Sequence, residues 1–138
     1  MADQGILPVG AAVRVRAPAS SANLGPGFDS IGLALGVWDE LDFVVTEAPG
    51  LVIDVAGSGA EGVPRDESHL VYRSFVRALR ELAFAVPAGL RMATRNAVPH
   101  GRGMGSSATA IVAGVAAAYG IVARGEHRPP GDEIAIDL

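Results

Sequence analysis

Val13-Arg14-Val15-Arg16-Ala17 alternates apolar and charged positions, and a repeat of two is the pattern of a strand with one face on the core. Pro18 is expected to stop that strand, because proline brings no N–H to a ladder. Ala19 to Asp29 is small, polar and glycine-rich, which predicts a loop. Ile31 to Val37 is apolar throughout and predicts a buried strand. Leu41–Glu47 and Leu51–Ala56 predict two more, with Pro49-Gly50 as the turn between them. Gly57 to Pro64 is expected as loop. From Ser68 the period lengthens: Val71, Phe75, Leu79 and Leu82 recur on one face, while Arg73, Arg77, Arg80 and Glu81 fall elsewhere. That spacing predicts an amphipathic helix over roughly Ser68 to Ala83, with Asp66 and Glu67 near its positive end. Leu90, Met92 and Thr94 then alternate with Arg91, Ala93 and Arg95 as another strand.

A second glycine-rich stretch, Pro99 to Ser107, runs straight into the uncharged segment Ala108–Ala123, which predicts a long buried helix. His127 to Asp132 has the composition of a linker. Ile134, Ile136 and Leu138 begin an element that the sequence does not complete. Strands, a helix, a strand and a long helix predict an α+β domain with a mixed β-sheet and packed helices. One domain is expected over residues 1–138, with 13–125 the best patterned. An ending in apolar sequence is what a fragment of a larger protein would show.

Composition narrows the chemistry. With 49% hydrophobic and 19% charged residues in 138, the chain is too apolar for disorder and suits one domain. A net charge of −4 argues against a nucleic-acid partner. The absence of cysteine excludes a disulfide framework, cysteine-ligated zinc and a thiol nucleophile. All eleven basic residues are arginine, so a Walker-type phosphate loop, which needs lysine, is excluded too. Met1 to Gly10 lacks the basic and apolar regions of a signal peptide. Ala108–Ala123 is 16 residues long with two internal glycines, short of the ~20 that span a bilayer. A cytoplasmic protein with no membrane partner is expected.

Two stretches carry candidate chemistry. Gly101, Gly103 and Gly105 precede Ser106, Ser107 and the long helix. Glycines let backbone approach an anion closely, and a helix N-terminus offers unpaired N–H groups with a positive dipole end. Such a cradle suits phosphate, and the serine hydroxyls suit phosphate oxygen or magnesium. No acid occurs from Leu82 to Gly125, whereas Arg91, Arg95, Arg102 and Arg124 do. A plain glycine turn capped by Ser106 fits the same spacing. In the first loop, Asn23 and Asp29 bracket Leu24-Gly25-Pro26-Gly27-Phe28, offering an amide and a carboxylate to a small polar substrate. Taken alone, the residues fit Asx turns that steady the loop better than a substrate site.

Together the two stretches resemble a known family. Pro18-Ala19-Ser20-Ser21-Ala22-Asn23-Leu24-Gly25-Pro26-Gly27-Phe28-Asp29 and the following Ser30-Ile31-Gly32-Leu33-Ala34-Leu35 are similar to the N-terminal signature of homoserine kinases. Pro99-His100-Gly101-Arg102-Gly103-Met104-Gly105-Ser106-Ser107-Ala108 resembles the ATP-binding motif of the wider galactokinase, homoserine kinase, mevalonate kinase and phosphomevalonate kinase superfamily. The resemblance implies a ribosomal protein S5 domain 2-like kinase domain. It implies ATP bound by Pro99 through Ala108, magnesium held in part by Ser107, and homoserine held by Asn23 and Asp29. Met104 stands where leucine is usual. His69 stands where the family often places an adenine-contacting asparagine, and a helix-start role fits it as well. His100 and His127 match no family role and are expected to be solvated.

The implied activity is transfer of the ATP γ-phosphate to the homoserine hydroxyl, giving O-phosphohomoserine in threonine biosynthesis. No residue stands out as a general base. The acidic magnesium motif and the C-terminal domain of the family are absent from these 138 residues. The chain alone is therefore expected to be inactive and to pair with itself or aggregate. A phosphate- or nucleotide-binding module without catalysis, or another kinase of the superfamily, are the alternatives.

Overall fold

The computed structural model describes residues 4–22, 32–57, 60–98, 106–127 and 134–135. Strands β1 (Ala12–Ala22), β2 (Gly32–Val45) and β3 (Gly50–Gly57) come first. A 3₁₀ turn (Ala60–Gly62), helix α1 (Leu70–Glu81), strand β4 (Gly89–Asn96), helix α2 (Ser106–His127) and a short β5 (Ile134–Ala135) follow. The sheet runs β3-β4-β2-β1-β5. β2 is antiparallel to β1 and β4, while β3 lies parallel to β4 and β5 parallel to β1. The expected mixed sheet and α+β class are the ones observed.

The period-two pattern sorts the sheet faces as anticipated. Val13 and Val15 of β1, Leu41, Phe43 and Val45 of β2, and Leu90 and Met92 of β4 are buried beneath the helices. α1 contributes Val71, Phe75 and Leu79, and α2 contributes Ala113, Ala117 and Ile121. Phe43 stacks on Phe75 with ring centroids 4.8 Å apart. The opposite face carries ion pairs Arg14–Asp42 at 2.7 Å and Arg91–Asp54 at 3.0 Å. Such exposed pairs each contribute only about 0–1 kcal/mol, so the buried face dominates the stability.

Three boundaries differ from expectation. Pro18 does not end β1; it pairs opposite Trp38, and the register shifts between Pro18 and Ser20. Proline is tolerated at such an interruption of the ladder. The polar stretch Trp38-Asp39-Glu40 does not divide β2, because each residue finds a partner. Trp38 lies under the Arg16 guanidinium, Glu40 pairs with Arg16 at 3.3 Å, and Asp39 accepts backbone N–H groups. Finally, α2 begins two residues before Ala108 and extends to His127.

Ser106–Arg124 is long and apolar enough, by length and composition, to cross a membrane. Half of it is buried in the fold, packed on α1 and β1 as a core helix. Gly114 makes the helix contact close: a Cβ there would collide with the Val71 carbonyl oxygen and come within 2.8 Å of Ser74 Cβ.

Candidate nucleotide site

A cavity of about 250 Å³ opens where five elements meet. Its floor is Asp39 and Leu41 of β2 with Asn96 at the end of β4. Gly62, Val63 and Pro64 form one wall, Ser68 to Val71 another, and Ser106, Ser107, Ala110 and Ala113 of α2 the third. Most of this lining is apolar, with a few polar groups converging, the composition of a small-molecule site.

The α1 wall is set by local hydrogen bonds. Asp66 Oδ1 accepts from the Ser68 N–H at 2.9 Å and from its hydroxyl. These bonds hold the Asp66 carboxyl below its usual range. The turn they make delays the helix to Leu70, so Asp66 and Glu67 lie outside its first turn. The N-cap is His69, with ψ at 128° and Nδ1 accepting the Val71 N–H at 3.1 Å. Side-chain oxygens usually fill this role; here an imidazole nitrogen does. His69 is 5% exposed and lines the cavity.

The α2 wall presents a helix start. Ser106 and Ser107 both lie in its first turn, which contains no acid. An α-helix leaves its first four N–H groups without intrahelical partners, and their dipoles favour an anion. Thr109 Oγ1 donates to the Pro18 carbonyl at 2.9 Å, which pins this turn to β1.

Asp39 is the principal residue the sequence patterns did not single out. It is 7% exposed, and its Oδ1 accepts the N–H groups of Ala97 and Val98 at 2.8 Å each. It thereby fixes the chain where it leaves β4 toward the glycine-rich motif. The signal was present: Val45, Phe43 and Leu41 face inward, and one more step of the same period reaches Asp39. Asn96 lies one residue past the Leu90–Arg95 alternation, and Val63 and Pro64 fall in the stretch expected as loop, so no pattern marks them.

Of the residues proposed from sequence, the structure brings His69, Ser106 and Ser107 to one cavity. Ala108 follows on α2, exposed and outside the lining. Asn23, Asp29, Pro99, His100, Gly101, Arg102, Gly103, Met104 and Gly105 lie outside the described residues. Among the described residues no three metal-ligating side chains cluster.

Comparison with known proteins places the chain in a family. Residues 69–134 match the model of the GHMP kinases N terminal domain. The homoserine kinase of Cutibacterium acnes is 54% identical over 114 residues, 82% of this chain and 38% of that one. That of Mycolicibacterium paratuberculosis is 49% identical over 133 residues, 96% of this chain and 42% of that one. The crystal structure of homoserine kinase from Cytophaga hutchinsonii superposes with a TM-score of 0.70 at 31% identity, over 88% of this chain and 38% of that chain. A mevalonate diphosphate decarboxylase from Legionella pneumophila shares the fold, with a TM-score of 0.59 at 15% identity, over 87% of this chain and 42% of that chain. The chain thus spans about two-fifths of the length of these relatives. The matched segment begins at the His69 cap and includes α1, β4 and α2, and the chain belongs to the GHMP kinases, whose N-terminal domain it carries.

Proposed function

We propose that this chain is the nucleotide-binding part of a homoserine kinase, an enzyme that moves the γ-phosphate of ATP to the homoserine hydroxyl. The carrying observation is the convergence of two helix starts, the His69 cap of α1 and Ser106-Ser107 of α2, on one largely apolar cavity. At about 250 Å³ the cavity is smaller than the ~300–1,000 Å³ of a drug-sized ligand site, so it accepts the base end of ATP and leaves the phosphates at its α2 rim. Leu41, Val63, Pro64 and His69 suit the flat base. The first turn of α2, continuous with the Gly101–Gly105 motif, suits the phosphates.

Phosphoryl transfer needs positioning and charge neutralisation more than covalent help from the protein. The homoserine oxygen forms its bond to the γ-phosphorus as the bond to the ADP oxygen breaks, and the hydroxyl proton passes to the transferred phosphate and on to water. Asn23 and Asp29 are assigned to hold homoserine, on the motif they share with homoserine kinases. Magnesium, when bound, neutralises phosphate charge. Ser107 supplies one hydroxyl for it, whereas this cation takes six oxygens, including carboxylate, water and substrate phosphate. The Asp39 carboxylate is engaged with two backbone N–H groups, so the described residues offer a partial magnesium site. The proposed reaction is a step of threonine biosynthesis, in the cytoplasm where ATP is supplied.

The test is calorimetric titration of the chain with ATP and magnesium, beside ADP release with homoserine present and absent. ATP binding that Ser107→Ala weakens is the expected result; no ATP binding overturns the assignment. Homoserine-dependent ADP release from this chain alone would show that it also catalyses the transfer.

A further inference from the structure

His69 differs from ordinary N-caps in one chemical respect: its capping atom is an imidazole nitrogen, which can take up a proton. Nδ1 accepts the Val71 N–H at 3.1 Å, so in this structure it bears no proton and the ring is neutral, with its hydrogen on Nε2. Protonation at Nδ1 removes the lone pair, sets donor against donor, and places a positive charge at the positive end of α1. The affected residues are walls of the cavity, since His69, Leu70 and Val71 all line it. Val71 is also the residue whose carbonyl meets Gly114 of α2, so a shift at the cap reaches the helix contact as well. Resting on the nucleotide site proposed above, we propose that His69 is a proton-operated latch. Neutral, it caps α1 and keeps the cavity shaped for nucleotide; protonated, it uncaps α1 and weakens binding.

The charges around the ring define the contest. Asp66 and Glu67 precede it, with Arg65 engaged at the Val55 carbonyl. Asp39 of β2 shares the cavity, Arg73 follows one turn along α1, and Glu61 lies on the exposed 3₁₀ turn. Among the described residues, α2 and β4 turn Ser106, Ser107, Ala110, Ala113 and Asn96 to the cavity, none of them charged. The acids favour the imidazolium, while burial, the helix dipole and the cap bond favour the neutral ring.

The experiment compares the chain with His69→Asn, since asparagine caps helices well and does not titrate. ATP affinity is measured at pH 8 and pH 5.5, each protein referred to its own value at pH 8, which cancels protonation of ATP itself. The expected result is a roughly fivefold or greater extra loss at pH 5.5 for the parent, the scale of a lost N-cap. Equal pH dependence in the two proteins overturns the proposal. NMR supplies a readout independent of nucleotide: the Val71 amide is expected to shift with the same midpoint as the His69 ring, and in His69→Ala to exchange rapidly at pH 8. A Val71 amide that ignores the ring titration overturns the latch even if ATP binds. Absence of ATP binding at pH 8, with Val71 following the ring, would instead overturn the nucleotide assignment.

Discussion

Asp39 makes a quantitative prediction, because its carboxylate has a defined structural task. Removing it in Asp39→Ala strips the acceptor from two N–H groups, that of buried Val98 and that of exposed Ala97, whose bond to Asp39 is partly buried. A buried donor left unpaired costs about 1–3 kcal/mol. Counting Val98 in full and Ala97 at the low end gives a loss of about 2–4 kcal/mol. Asp39→Asn keeps a carbonyl oxygen in the same place and forfeits only the charge-assisted part, about 1 kcal/mol. Against a total stability of about 5–15 kcal/mol, both variants should fold. Urea unfolding reads the difference as a lowered midpoint at unchanged m-value. ATP affinity should fall in the same order, since these N–H groups fix the strand exit that leads into the Gly101–Gly105 motif. An alanine variant within about 0.5 kcal/mol of the parent, with asparagine no better than alanine, would refute the anchoring argument.

Gly114→Val should lower the melting temperature, since overpacking a tight helix contact costs about 1–3 kcal/mol; an unchanged melt would mean that the helices part freely. Partial burial raises the Tyr72 phenol above its usual value of 10.0, with Glu67 adding to the shift. A raised folded value contributes stability that is complete below the unfolded value and lost as pH rises through the folded one. Unfolding midpoints should therefore decline above about pH 10, a decline that Tyr72→Phe reduces. Ser107→Ala should weaken ATP binding more with magnesium than without it, measured by calorimetry in the two conditions. Ile111, Val115 and Tyr119 form an exposed apolar stripe on α2, and exposed patches promote association. Ile111→Glu should shift sedimentation toward monomer.

The elements with a clean period were legible from sequence. α1 and β4 appear where Val71-Phe75-Leu79 and Leu90-Met92-Thr94 placed them, because one apolar face suffices to fix a register or a helix stripe. Legibility failed where long-range partners decide. Pro18 and the Trp38-Asp39-Glu40 stretch look like strand breakers locally, yet partners on β1 and beyond the end of β4 satisfy them. The helix-start role of His69 was one of the two that its position offered, and the structure shows it as the cap; the acids before it looked like the start signal, and the Asp66–Ser68 turn moves the start onward.

The position of the site follows from topology more than from any one residue. β3 and β4 are parallel, so the chain must cross back between them, and α1 is that crossover. A helix that follows a strand starts at the strand's C-terminal end. α1 leaves β3 and α2 leaves β4, so both helices begin at the same edge of the sheet. Ligands of open α/β sheets collect outside the carboxyl ends of strands for this reason. β2 runs antiparallel to β4, with Glu40 opposite Arg95, so Asp39 arrives at that edge beside the exit of β4. A strand-helix-strand-helix run of sequence with parallel strands therefore already dictates where two helix N-termini converge. The specific chemistry, an imidazole cap on one and two serines on the other, determines what that edge can bind.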